Sequence, residues 1–336
     1  MTAAPDPPVA LVTCLHFPGS RLAGAIARLE DTSPHVSEIV VVLDGVTDDE
    51  RREILEWAPL LPKVRILQPR SPLGVANARN LALAAVTSEY VWFVDDDDEW
   101  VPDAARVVAD SLADGYDVIA FRARYRDHPD SAGRVVDGVD ESRGTTAREA
   151  RRMLLDGTLQ GFLWSKLFAR RVLGTDPFPD LSSQSDVVGV ARALARSHRL
   201  RLRPEELYTY VNRPGSITRT SALRLQNLAR ASDLVVEALA DDADPAETDH
   251  FRAWFSCSGT VRTVARQRVP LREAMPALRD AQRSARLLAR RGVRGDGARM
   301  RLELAALRLD PRVAVILGRF AYALLDARRA FRRRAS

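Results

Sequence analysis

The chain has 336 residues, 46% hydrophobic and 28% charged, with a formal net charge of +5. A folded protein of this size buries a core without disulfides, and its two cysteines, Cys14 and Cys257, show no metal-type spacing, so they read as free thiols in a reducing compartment. No uncharged run reaches the ~20 residues of a membrane span, and the start MTAAPDPPVALVTCLHF lacks the basic region of a secretory signal, which predicts a cytoplasmic protein.

The first half alternates short apolar runs with helical patterns. Strands are predicted at Val9–Leu15, at Glu38–Leu43 (EIVVVL, ending in Asp44-Gly45), at Val64–Leu67, at Tyr90–Val94 (YVWFV) and at Asp117–Arg122. Helical spacing occupies Leu22–Leu29, Asp48–Leu55, Gly74–Ala85 and Pro102–Leu112, the last with Pro near its start. Such alternation predicts parallel pairing in a layered α/β fold, and continuous apolar runs fit strands buried on both faces. Arg126–Thr146 reads as a loop or a β-excursion, Ala147–Leu155 as a helix, Leu163–Val172 as mixed and Pro177–Gln184 as a loop. A helix follows at Asp186–Ser197 and a strand at Leu207–Val211. Beyond about residue 220 the chain turns into Ala-, Arg- and Leu-rich helical patterns, so domains are expected at 1–220 and 221–336.

Open α/β sheets bind ligands at the carboxyl ends of their strands. Asp44 and the run Asp95-Asp96-Asp97-Asp98 both fall there. Four adjacent aspartates repel and raise one another's pKa unless a cation neutralises them, and hard oxygen ligands suit Mg2+ or Mn2+. In an extended segment Asp95 and Asp97 share a face, Asp98 starts the next turn, and Asp96 points the other way, which predicts that Asp96 tolerates Ala. The alternative is a solvated turn with helix-capping aspartates before Pro102. A phosphatase of the haloacid-dehalogenase type also carries strand-terminal aspartates, but on its first strand; here they follow the fourth and lead into Glu99-Trp100. A nucleotidyltransferase and a non-catalytic binding scaffold are the remaining readings. His16 reads as a hydrogen-bonded turn residue and Trp92 as core. Trp100 borders a sugar pocket or fills the core, and Lys166 is a site residue or a solvated helix residue.

The blocks VALVTCLHF, EIVVVLDGVTDD, GVANARNLALA and SEYVWFVDDDDEW, in this order and spacing, resemble the nucleotide-binding half of the family 2 glycosyltransferases over residues 8 to 220. The resemblance implies the GT-A fold, a Rossmann-like mixed sheet with a C-terminal helical region. It also implies direct, inverting sugar transfer from a nucleotide-diphosphate sugar of UDP or dTDP type to an acceptor hydroxyl, lipid-linked or polymeric, with no nucleic acid partner. By position, Asp44 matches a base-contacting residue, Arg79 and Asn80 match the ARN block, Asp95 matches the ribose-contacting Asp, and Asp97 holds the Mn2+ or Mg2+. Asp96 is grouped with the donor-binding residues and Asp98 with the acceptor side. LWSKLFARRVL makes Trp164 and Lys166 acceptor-side candidates with Trp100. Asp186 matches the general base, with helix capping as its alternative role, and Arg213 and Ser216 match a closing loop. Three positions differ from the family pattern: Cys14-Leu15-His16-Phe17 stands where a Pro-x-Tyr-Asn turn is usual, Leu43 replaces an acidic residue, and Ser185 replaces Glu.

At the far end, Val313–Leu325 is apolar except for Arg319 and leads into Arg328, Arg329, Arg332, Arg333 and Arg334. It is too short to span a bilayer and fits an amphipathic helix on anionic lipid. The competing expectation is a helix packed on the protein with a solvated basic tail.

Overall fold

The computed structural model describes residues 6–126, 131–137, 139–211 and 221–335, with side chains described outside 221–224 and 325–335. The chain divides into two compact units, Met1–Leu154 with Thr158–Arg213 and Leu155–Gly157 with Pro214–Ser336.

The first unit is built on a ten-stranded mixed sheet. Strands β1 (Val9–Leu15), β2 (Glu38–Leu43), β3 (Val64–Leu67) and β4 (Tyr90–Asp95) pair in parallel in the order β3-β2-β1-β4. Helices α1 (Leu22–Thr32), α2 (Asp48–Trp57) and α3 (Val75–Ala85) connect them. Every residue of EIVVVL is buried, as a strand covered on both faces requires. A reciprocal capping box between Thr47 and Glu50 starts α2. Gly74, at φ +78, allows the sharp entry into α3, a backbone that a side chain would strain.

The second half of the sheet departs from the parallel expectation. After the two-residue β5 (Glu99–Trp100), the helix expected over 102–112 is two short pieces, α4 (Ala104–Val107) and α5 (Ala109–Ala113). They are separated by buried Val108 at φ −104, ψ 16, outside helical geometry. β6 (Val118–Arg126) follows. Arg126–Thr146 is an excursion holding β7 (Arg134–Val136) and β8 (Arg143–Thr146), and it leads into α6 (Ala147–Asp156). β9 (Lys166–Ala169) inserts antiparallel between β4 and β6 and makes the sheet mixed. α7 (Arg170–Leu173) and α8 (Ser185–Arg196) precede β10 (Arg199–Val211), far longer than the expected Leu207–Val211. β10 lies parallel to β6 and antiparallel to β5 and β8, with register shifts around Glu206. The core of this unit runs through Leu11, Ile39, Val41, Trp92, Ile119, Phe121, Leu167 and Tyr208.

In the second unit the described residues 221–335 are all helix and turn: α9 (Ser221–Leu239), α10 (Pro245–Phe251), a π-helical stretch Arg252–Ser258, α11 (Gly259–Arg266), α12 (Leu271–Arg290), α13 (Gly297–Leu309) and α14 (Pro311–Ala335). They close around Cys257, Val261, Val264, Leu278, Leu307 and Val315. No helix among the described residues is long and apolar enough to cross a membrane.

Candidate active site

The register of the central strands gathers the acidic groups. Cys14 on β1 pairs with Val42 on one side and Asp95 on the other, so β1, β2 and β4 end level with one another. The Asp44 amide donates to Leu15 O at 2.9 Å, which holds Asp44 beside the end of β1. Its side chain is wholly buried, Oδ1 accepts from the Leu73 amide at 2.6 Å, and Oδ2 has no hydrogen-bond partner. His16 Nδ1 lies 2.8 Å from Asp44 O, the turn contact expected of it. The next residue, Phe17, is 60% exposed, and its ring lies over Gly45, where a Cβ would approach it to 2.9 Å. An exposed aromatic face thus stands next to Asp44 in the segment that differs from the family turn. Burial pushes the Cys14 thiol up to about 12, so it is inert at neutral pH.

The four aspartates face different surroundings. Asp95 accepts from Arg79 Nη2 at 2.8 Å, and Arg79 is largely buried on α3. The extended segment expected here is instead a turn after β4, with the Asp98 amide donating to Asp95 O at 3.2 Å, so alternation does not set Asp96 apart from Asp97. Asp96 Oδ2 is buried without a hydrogen-bond partner, 3.8 Å from Arg21, and the Asp96 carbonyl accepts from Arg28 at 2.7 Å. Burial first, then the charge of Asp97, pushes the Asp96 carboxyl up to about 7. Asp97 remains partly exposed, with Oδ2 3.9 Å from Arg21 Nη1. Asp98 is wholly buried and accepts from Tyr208 Oη at 2.7 Å and from the Val211 amide at 3.0 Å. Burial, followed by the charges of Asp95 and Asp97, raises its pKa well above the ordinary carboxyl range. The solvated-turn reading of this run does not fit carboxylates so enclosed.

The acceptor-side candidates divide. Asp186 occupies the first turn of α8, but the N-cap is Gln184 in a left-handed conformation, and no side chain caps the helix. Asp186 Oδ1 accepts only from the adjacent Val187 amide among its described bonds, at 3.0 Å. Burial raises its pKa, while the positive charge of Arg79 opposes that rise. Arg79 therefore stands in the field of both Asp95 and Asp186. Asn80 holds the loop leading to α8: its Nδ2 donates to Phe178 O at 2.8 Å and its Oδ1 accepts from the Phe178 amide at 3.1 Å. Asn77 adds a bond to Asp180 at 3.1 Å. The amide of Asn80 is thus engaged by backbone on both sides instead of being turned toward a donor.

Lys166 is neither a solvated helix residue nor open to an acceptor. It lies wholly buried at the start of β9, 2.7 Å from Asp137 Oδ2, and also donates to Phe162 O and Ser165 Oγ. Burial pushes its pKa down even with Asp137 alongside. Trp164 and Trp100 are interior too, each stacked on the Tyr208 ring, at 4.9 Å and 6.4 Å between centroids. Trp100 Nε1 donates to Thr32 Oγ1 at 2.9 Å. Arg213 and Ser216 lie outside the described residues. Arg21, Arg28, Phe17 and Tyr208 are the residues at the site that sequence reasoning passed over. Phe17 alone carried a signal, an aromatic directly after a strand end.

Residues 11–172 match the family model described as Glycosyl transferase family 2. Over that stretch, a little under half of its length, the chain is similar to the family 2 glycosyltransferases. Its matched segment runs from β1 through α7 and contains every strand-end carboxylate described above. The chain is 22% identical to EpsH of Bacillus subtilis, a putative glycosyltransferase, over 171 residues, covering 50% of this chain and 48% of the relative. The chain thus aligns with about half the length of that relative. It is 27% identical to the succinoglycan biosynthesis protein ExoU of Rhizobium meliloti over 270 residues, covering 75% of this chain and 77% of ExoU. Among solved structures, S. aureus TarS 1-349 in complex with UDP-GlcNAc superposes with a TM-score of 0.71 at 18% identity, over 94% of this chain and 91% of that one. Mannosyltransferase PcManGT from Pyrobaculum calidifontis, in complex with GDP-Man and Mn2+, gives a TM-score of 0.53 at 18% identity over 95% and 90%. The mixed sheet is accordingly a GT-A fold.

The acidic run fits a divalent cation by its donor set: Asp95 and Asp97 offer partly exposed carboxylate oxygens, and their negative charge adds to burial in raising the neighbouring carboxyls of Asp96 and Asp98, a condition that a cation relieves. No group of three or more His, Cys, Asp or Glu among the described residues forms a ready cage. Such a site suits an ion held by one or two carboxylates and by ligand phosphates.

Proposed function

We propose that this chain is an inverting, metal-dependent glycosyltransferase that moves a sugar from a nucleotide-diphosphate sugar to an acceptor hydroxyl. The observation that carries the reading is the position of Arg79, paired with Asp95 at the strand end and in the field of Asp186 at the start of α8. One partly buried cation thereby links the donor-side carboxylates to the candidate base. Asp44 and the exposed ring of Phe17 receive the nucleotide base, Asp95 the ribose and Asp97 the Mn2+ or Mg2+. Asp96 supports the run from the interior, beside Arg21.

The cation, when bound, neutralises charge on the departing diphosphate as a Lewis acid. Asp186 takes the proton of the acceptor hydroxyl. The acceptor oxygen forms the new bond to the anomeric carbon while the bond to the diphosphate breaks, and the diphosphate leaves with the electron pair. A carboxylate lifted by burial holds that proton better than an ordinary aspartate, which favours general-base work near neutral pH. A single displacement inverts the anomeric centre and needs no covalent nucleophile.

The UDP and UDP-GlcNAc in the TarS structures support a UDP- or dTDP-type donor, and the Mn2+ and GDP-Man in PcManGT support the metal. The name of ExoU, a succinoglycan biosynthesis protein, supports a glycan acceptor, lipid-linked or polymeric. Two thiols held at high pKa by burial, Cys14 and Cys257, suit a cytoplasmic enzyme. The experiment is a screen of UDP-, dTDP- and GDP-sugars for hydrolysis or transfer, with Mn2+ and with excess chelator. The reading requires cation-dependent release of nucleoside diphosphate. Undiminished turnover in chelator overturns the metal role, and no turnover of any nucleotide sugar overturns the enzyme.

A further inference from the structure

The last helix has one face packed and one bare. On α14, Pro311, Ala314, Val315 and Gly318 are buried. Gly318 allows a close approach to α11, since a Cβ there would lie 2.9 Å from the Ala265 Cβ. Arg319 Nη2 donates to Val269 O at 2.7 Å and fixes the helix further. Val313, Ile316, Leu317, Phe320 and Leu324 are all exposed, Phe320 by 67% and Ile316 by 59%. At 3.6 residues per turn these five fall within an arc of about 100° on the side away from α11, a continuous apolar stripe on a helix otherwise seated on its neighbours. Leu309, the last residue of α13, is 80% exposed.

An apolar stripe of this kind marks an interaction surface, and the charge of its helix names the partner. Pro311–Ala335 contains seven arginines, Arg312, Arg319, Arg328, Arg329, Arg332, Arg333 and Arg334, against one acidic residue, Asp326. A second copy of this chain would bring an equally positive helix to the stripe and repel it. An anionic lipid surface offers apolar depth for the stripe and negative charge for the arginines together. With no helix among the described residues able to cross a bilayer, the helix would lie in the interface instead of spanning it. We propose that α14 docks this protein on anionic membranes, with Ile316, Leu317 and Phe320 entering the acyl boundary.

The test is cosedimentation of the full chain with vesicles of phosphatidylcholine alone and of 7:3 phosphatidylcholine to phosphatidylglycerol, a mixture that carries negative charge. Binding is expected to the anionic vesicles, at least about tenfold above the neutral ones, and to weaken as salt shortens the Debye length. Ile316→Glu with Phe320→Glu should reduce binding about tenfold or more at an unchanged melting temperature, because both side chains are solvent-facing. A chain carrying Arg→Gln at positions 328, 329, 332, 333 and 334 should lose the preference for anionic lipid. Equal binding to both vesicle types, or binding unaltered by the double substitution, overturns the proposal. So does a stable dimer by sedimentation that the double substitution dissociates.

Discussion

The Tyr208 hydroxyl donates to Asp98 Oδ2 at 2.7 Å and accepts from the Asp95 amide at 3.1 Å. One phenol from β10 thereby bridges both ends of the acidic run at the end of β4 and sets the path of the backbone between them. Tyr208→Phe keeps the ring stack with Trp164 and removes both bonds. A buried carboxyl that loses a donor costs about 1–3 kcal/mol, so chemical denaturation should show a loss of that size. Nucleoside diphosphate affinity in Mn2+ should fall as well, because Asp95 and Asp97 lose their common brace. Unchanged stability and affinity would show that Val211 alone suffices to hold Asp98.

Asp97 and Asp96 should separate cleanly. Asp97→Ala is expected to abolish transfer and remove Mn2+-dependent binding of nucleoside diphosphate, measured by calorimetry with and without the ion. Asp96→Ala should retain ion-dependent binding, because its carboxylate is buried while that of Asp97, near the same Arg21, stays partly exposed. Equal loss in both variants would mean that both carboxylates serve one ion.

Asp186→Asn tests the base. Transfer should fall ~10²–10⁴-fold, the usual range for a lost general base, with near-normal donor affinity and melting temperature. The N-cap is Gln184, so little helix stability is at risk. The pH profile gives a second reading. A base works only when deprotonated, and burial raises this carboxyl, so activity should fall as pH drops through a point above the ordinary aspartate range. That acid limb should vanish from the residual activity of the Asn variant. A loss under about threefold would shift the assignment to Asp180, the next carboxylate in the same loop.

Lys166 and Asp137 test structure against acceptor contact. Lys166→Met leaves Asp137 buried beside an apolar chain and should destabilise the protein by about 3–5 kcal/mol. Adding Asp137→Asn removes the stranded charge, so the double variant should recover a large part of that stability in urea titration. A Lys166→Met protein of normal stability but raised acceptor KM would return this lysine to the acceptor side.

Much of the fold was legible in the chain itself. IVVVL and YVWFV are unbroken apolar runs, as strands covered on both faces show, and each is followed directly by an aspartate where α/β sheets place ligands. The ARN block on α3 and the aspartate opening α8 likewise stand out by order and spacing, and the α-helical second unit by its composition. The alternation of Leu200 and Leu202 with arginines also carried a strand signal of period two, but the arginines masked the start of β10. Other features had no local signature. KLFA does not encode that β9 runs antiparallel between β4 and β6, since direction depends on which strands flank it. Lys166 looks solvated as a letter but is buried, paired with Asp137 from the excursion 29 positions earlier. Asn80 meets Phe178 98 positions later, and Asp98 meets Tyr208 across 110. Composition and periodicity record how each segment faces water, and that determined the elements and the acidic strand ends. Which carboxylates remain open to a ligand and which are sealed by a distant tyrosine, arginine or lysine was decided by tertiary packing, because a charge is buried or exposed only by what the rest of the chain places around it.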